Sequence, residues 1–168
     1  MVQYVIASHG RFAREGLNAA SMLFGEIPDN FHVLSVLDGG DGIDAFEREA
    51  AELAEELMAQ PVLIMSDFFG GSPFMTLLSA FRDNDYKLVS GFNLPMIIEA
   101  LSQNQMDLTL EEIADRLIDN GRNLSIRLVD KIQTDEMSVC ETLADEILAD
   151  EILADETPLD ETPSNKTP

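Results

Sequence analysis

Val62-Leu63-Ile64-Met65-Ser66-Asp67-Phe68-Phe69-Gly70-Gly71-Ser72-Pro73 decides how this chain folds. Val62 to Met65 run apolar without alternation, as a strand buried on both faces does. A carboxylate closes the strand. Two glycines follow, then Ser72 as N-cap and Pro73 at the first helical position, which together open a helix. A second stretch has the same form: Val2-Gln3-Tyr4-Val5-Ile6-Ala7 is an apolar strand, and it delivers Ser8-His9-Gly10 at its end. If these strands are parallel neighbours, an imidazole and a carboxylate meet at one sheet edge beside an anion site.

Strand and helix signals alternate outward from these two segments. Phe12, Leu17, Ala20, Leu23 and Phe24 mark a helix that stops at Gly25. Residues 31–36 read as a strand, with His32 packed inside it. Ile43, Phe46, Ala50, Leu53 and Leu57 keep a 3-4-3-4 spacing, and Glu47, Glu49, Glu52, Glu55 and Glu56 lie off that stripe. That is an amphipathic helix. Phe74, Leu77, Leu78 and Phe81 continue the helix begun at Ser72. Residues 86–90 form a fourth strand, and Pro95 opens another helix. Thr109 and Glu112 make a capping box for a helix ending near Gly121. Residues 125–129 are expected to form a last short strand with Ile126 and Leu128 on one face.

This β-α order predicts an α/β fold: a doubly wound, mostly parallel sheet with helices on both faces. In a flavodoxin-like order, strands 1 and 3 are adjacent and their carboxyl ends flank the switch point where ligands bind. Adjacent strands lie about 4.8 Å apart, so His9 and Asp67 are within hydrogen-bond reach. A carboxylate accepting one imidazole N–H fixes the tautomer and turns the other nitrogen outward as nucleophile or base. Gly70 and Gly71 let the backbone approach a bulky anion. The helix start at Ser72 offers free N–H groups and a positive dipole end, which suits phosphate. Nucleophile, orienter and anion cradle point to phosphoryl transfer through a phosphohistidine. These residues require no metal and no cofactor.

Each feature alone has a plain structural reading: a loop histidine, a turn-forming aspartate, an ordinary helix start. Their convergence on one sheet edge favours the functional one. Asp38-Gly39-Gly40-Asp41-Gly42 supplies too few oxygen ligands for a calcium loop and reads as a turn. The eight methionines are scattered and read as core filler.

Composition narrows the partners. A net charge of −22 over 168 residues argues against nucleic acid and anionic membranes, which need a basic face. Cys140 is the only cysteine, so no disulfide forms within the chain, in keeping with a reducing cytosol. The first residues lack a signal-peptide pattern, and no apolar stretch approaches the length of a membrane span. A cytoplasmic location is expected. Residues 1–131 hold 21 acidic and 9 basic side chains, giving −12; residues 132–168 hold 11 and 1, giving −10. That tail repeats Leu-Ala-Asp-Glu three times between residues 143 and 156 and then carries three Thr-Pro pairs. It reads as a short acidic helix at best, followed by a disordered end. The domain is placed at 1–131 and the tail at 132–168.

Ser8-His9-Gly10, Met22-Leu23-Phe24-Gly25-Glu26, Asp67-Phe68-Phe69-Gly70-Gly71-Ser72-Pro73-Phe74 and Gly91-Phe92-Asn93-Leu94-Pro95-Met96 resemble the IIA component of the mannose family of bacterial sugar phosphotransferase systems. The resemblance covers residues 1 to about 131. It implies that His9 accepts a phosphoryl group from the phosphocarrier HPr. The group then passes to a IIB component, which serves the IIC/IID membrane permease. It implies that Asp67 holds the imidazole and that the segment around Ser72 receives the phosphoryl group. It also implies a homodimer whose last strand, here 125–129, crosses to the partner's sheet and runs antiparallel there. The acidic tail has no counterpart in the resemblance. The competing readings are the phosphotransfer subunit of dihydroxyacetone kinase, a regulatory phosphoacceptor module, and a non-catalytic α/β binding domain. The Phe-Gly-Gly-Ser-Pro segment favours the sugar system over the former.

Overall fold

Runs of apolar residues with no polar alternation must be covered on both sides, and the helices between them provide that cover. The computed structural model describes residues 1–37 and 42–125. Its elements are β1 (Gln3–His9), α1 (Phe12–Phe24), β2 (Phe31–Val36), α2 (Gly42–Glu56), β3 (Val62–Ser66), α3 (Ser72–Ala80), β4 (Tyr86–Ser90), α4 (Leu94–Ser102) and α5 (Leu110–Ser125). The described strands form one parallel sheet in the order β2-β1-β3-β4.

Alternate side chains of each strand feed two cores. Tyr4, Ile6, Leu63, Met65 and Val89 pack with residues of α1, α4 and α5. Val5, Ala7, Val62 and Ile64 pack with Phe46, Ala50, Ala54 and Leu77 of α2 and α3. All five residues of the central strand β3 are buried. Each such Val, Leu or Ile contributes about 1.5–3 kcal/mol when fully removed from water. The outer strand β4 keeps only Val89 fully buried.

The helix ends follow local chemistry. The Thr109–Glu112 box is present: Glu112 Oε2 accepts from Thr109 N at 2.9 Å, and Thr109 Oγ1 accepts from Glu112 N at 3.3 Å. The Thr109 N–H, joined by its hydroxyl donating to Glu112 Oε2 at 2.8 Å, holds the Glu112 carboxyl below its ordinary range. Asn93 caps α4 by accepting from Met96 N at 3.1 Å. At the amino end of the sheet, His32 Nε2 meets Gln3 Oε1 at 3.0 Å. Gln3 Nε2 in turn donates to Gln60 Oε1 at 2.7 Å. Burial lowers the His32 pKa, with Glu56 opposing in part.

Several sequence expectations need correction. Ser72 is not the N-cap of α3. Gly71 takes that place and Ser72 begins the helix, because the glycine turn ends one residue earlier than the Ser-Pro pattern suggested. The last helix does not stop near Gly121. It continues to Ser125, since Gly121 packs closely on Met96 and is a helix–helix contact, not a terminator. Ser125 therefore ends a helix, and the rest of the expected strand at 125–129 lies outside the described residues. So do the tail at 132–168 and most of the Asp38–Gly42 turn. Phe12, Leu23 and Ile43 belong to their helices but are exposed. The methionines are not mainly core filler. Met65 and Met96 are buried, whereas Met1, Met22, Met58, Met75 and Met106 are exposed.

Candidate functional site

β1 and β3 are hydrogen-bonded neighbours, with Ala7 opposite Ser66. The next residues along, Ser8-His9 at the end of β1 and Asp67 just past β3, thus lie side by side. Three local bonds fix the way His9 leaves. Gly10 turns the chain with φ +57° and donates its N–H to Val36 O at 2.8 Å. Ser8, fully buried, accepts from Ala13 N at 2.7 Å and ties the strand end to the first turn of α1. The backbone N–H of His9 donates to Asp67 Oδ2 at 2.8 Å.

The same oxygen also meets the ring. Asp67 Oδ2 lies 3.0 Å from His9 Nδ1. A carboxylate only accepts, so Nδ1 carries the hydrogen of that bond and the lone pair sits on Nε2. The Asp67 side chain is 14 % exposed and the His9 side chain 49 %. The carboxylate is thus shielded while the imidazole stays half exposed. Asp67 Oδ1 is buried and has no protein partner.

Nε2 faces the start of α3. Ser72 Oγ lies 3.5 Å from it, at the outer limit of a hydrogen bond. Because Gly71 is the cap residue, the Ser72 hydroxyl has no capping duty and is available to a group bound on Nε2. Gly70 adopts φ +77°, a conformation that side chains disfavour. Gly71 is needed for space: a Cβ there would lie 3.0 Å from His9 Cε1 and 3.3 Å from Phe68 Cδ1. The first turn of α3 contributes backbone N–H groups that have no partner within the helix. Phe68 and Phe69 stand exposed beside this cradle, and Phe12 stacks on Phe92 with ring centres 4.9 Å apart.

The structure therefore brings together all five residues singled out from the sequence: His9, Asp67, Gly70, Gly71 and Ser72. Sequence reasoning missed the buried Ser8, although a serine just before a helix start is a capping signal. It also missed the second bond to Asp67, which comes from a backbone N–H and leaves no mark in the sequence.

Comparison with known proteins identifies the family. Residues 3–118 match a family model, EIIA-man, described as the PTS system fructose IIA component. The PTS system mannose-specific EIIAB component of Escherichia coli (strain K12) is 30% identical over 122 residues, 72% of this chain and 38% of that protein. The chain thus spans well under half the length of this curated relative. A PTS IIA protein associated with the fucose utilization operon of Streptococcus pneumoniae superposes with a TM-score of 0.65 at 32% identity, covering 75% of this chain and 92% of that one. A mannose/sorbose-specific IIA subunit from Enterococcus faecalis gives a TM-score of 0.68 at 27% identity, covering 79% and 98%.

Proposed function

We propose a role that starts from one fact: the chain belongs to the EIIA-man family of phosphotransferase-system IIA components. In this reading His9 is the phosphoryl acceptor, and phosphorylated HPr is the donor. The lone pair on Nε2 attacks phosphorus. The P–Nε2 bond forms as the bond between phosphorus and the donor breaks, and no proton needs to leave Nε2. The ring then carries a positive charge with its hydrogen on Nδ1, and Asp67 balances that charge. Ser72 Oγ and the N–H groups at the start of α3 hold the phosphoryl oxygens, with Gly70 and Gly71 giving them room. Attack on the same phosphorus by a IIB component reverses the chemistry and passes the group toward the IIC/IID permease and its sugar. The setting is the cytoplasm, and among the described residues no helix is long and apolar enough to cross a membrane.

One observation carries this reading: a single oxygen of Asp67 accepts from both the backbone and the ring of His9 and presents Nε2 outward. A histidine packed only for stability has no use for a half-exposed free nitrogen above a glycine turn. The test is labelling of the purified chain with radioactive phosphoenolpyruvate, enzyme I and HPr. The wild type should take up acid-labile, base-stable phosphate, and His9→Ala should take up none. Equal labelling of His9→Ala would overturn the assignment.

We also propose the homodimer. β4 is an outer strand of the described sheet, and its free edge would accept a strand from residues 125–129 of a second copy. The IIA domain is assigned to 1–131, with 132–168 an appended tail outside the phosphotransfer unit.

A further inference from the structure

Only seven lysines and arginines lie among the described residues, and two of them, Arg11 and Arg14, fall within five residues of His9. Both are exposed, and neither takes part in an ion pair or a side-chain hydrogen bond among the described residues. Arg82 and Lys87 pair with Asp83 and Glu111, whereas Arg48 and Arg122 share with Arg11 and Arg14 the lack of an ion pair among the described residues. The position is a costly one. Arg11 is the N-cap of α1 and makes no capping bond, where Ser, Asp or Asn would be preferred. Arg14 lies in the first turn, where the helix dipole disfavours a cation. Glu15 shares this first turn but forms no ion pair with either arginine among the described residues; its carboxylate accepts from Asn18 Nδ2 at 3.1 Å. Ser8 caps this helix start in place of Arg11, accepting from Ala13 N at 2.7 Å, so neither arginine is needed for the cap.

The site has a matching need. A phosphoryl group arriving at His9 is an anion approaching a chain of net charge −22. It must settle beside the carboxylate of Asp67, and the two side chains that touch His9, Asp67 and Ser72, bring no positive charge. At physiological salt, charges farther than about 8 Å are largely screened, so near charges decide the encounter. Two Cα–Cα steps of 3.8 Å keep the Arg11 backbone within about 7 Å of that of His9.

We propose that Arg11 and Arg14 form a cationic rim that draws the phosphorylated face of the donor protein onto His9. The proposal rests on the reading of His9 as phosphoryl acceptor. The arginines act on the encounter, as steering charges and not as groups on the reacting atoms.

The test is rapid-quench transfer from pre-phosphorylated HPr to the full chain, at about 0.02 M and 0.5 M salt, spanning weak and strong screening. Arg11→Gln with Arg14→Gln should lower the low-salt second-order rate constant about tenfold, and the gap should close at high salt. Arg11→Lys with Arg14→Lys should restore most of the rate, because only charge is required. The melting temperature of the glutamine variant should stay level or rise. A glutamine variant with the wild-type rate and salt slope overturns the rim alone. A rate loss equal at both salts, or unrescued by lysine, also overturns it. If the wild type takes no phosphate on His9 from HPr, the acceptor reading itself falls and takes the rim with it.

Discussion

Asp67 holds the backbone and the ring of His9 through one and the same oxygen, at 2.8 Å and 3.0 Å. The bond to the backbone sets where the residue starts, and the bond to Nδ1 sets how the ring is turned. An imidazole held at both points has little freedom left to lose, which suits the phosphoryl acceptor proposed above.

Asp67→Asn tests what the charge contributes. An asparagine can place its carbonyl oxygen where Oδ2 now sits and accept both N–H groups, so the tautomer survives. The loss is the negative charge that balances a phosphorylated imidazolium. Transfer from phosphorylated HPr to His9 should fall on the order of 10²-fold, measured by rapid quench. The melting temperature should drop only slightly, since charged acceptors make stronger hydrogen bonds than neutral ones. A wild-type rate would reduce Asp67 to a turn former.

Gly70 and Gly71 should respond differently to alanine. Gly71→Ala keeps an ordinary backbone, φ −71°, but drives a methyl to 3.0 Å from the His9 ring. Its main effect should be on transfer, about tenfold, because small displacements of a nucleophile are costly. Gly70→Ala meets open space but must hold φ +77°. Its main effect should be on stability, about 1 kcal/mol, with transfer less affected. Thermal melts alongside transfer rates for both variants would separate the two causes.

Ser72→Ala should leave α3 as stable as before, because the hydroxyl caps nothing. Transfer should slow several-fold through the lost hydrogen bond to the phosphoryl group, a contribution of about 1 kcal/mol. A clear fall in melting temperature would restore the serine to a capping role.

The stability of the domain should fall as pH drops through the range where His32 titrates. Burial holds the folded ring below its ordinary pKa of 6.5. The unfolded ring takes a proton near 6.5 while the folded ring resists, so the unfolded chain binds more protons and gains as pH falls. His32→Gln keeps a donor for Gln3 Oε1 and removes the titration. Its urea midpoint should decline less steeply than that of the wild type between about pH 7 and pH 5, the span of histidine titration. Parallel curves would show that His32 does not carry this dependence.

Two truncations bracket the dimer proposal. A chain ending at residue 131 should remain dimeric and accept phosphate within about threefold of the full length, under 1 kcal/mol in barrier. A chain ending at Ser125 keeps α5 whole but lacks the proposed exchange strand, and should run as a monomer or aggregate. Light scattering reads both. A well-folded dimer ending at Ser125 would exclude strand exchange.

Local sequence signals determined much of this protein. The apolar runs at 4–7 and 62–65 required buried strands. The 3-4-3-4 stripe of α2 and the Thr109–Glu112 box required helices, and the chain set a histidine at the end of β1 and an aspartate just after β3. Such signals are short-range, so a linear reading captures them. Three-dimensional packing decided the rest. Only the order β2-β1-β3-β4 makes His9 and Asp67 neighbours across 58 positions of sequence. Only the turn geometry shifts the cap from Ser72 to Gly71 and frees a hydroxyl to face Nε2. Burial behaved in the same way: Phe12 and Met22 look like core residues by type, yet lie exposed on α1, whose buried face holds Ala13, Leu17 and Ala20. Residue type sets the preference for burial, but the space left by neighbouring elements decides which side chains are buried.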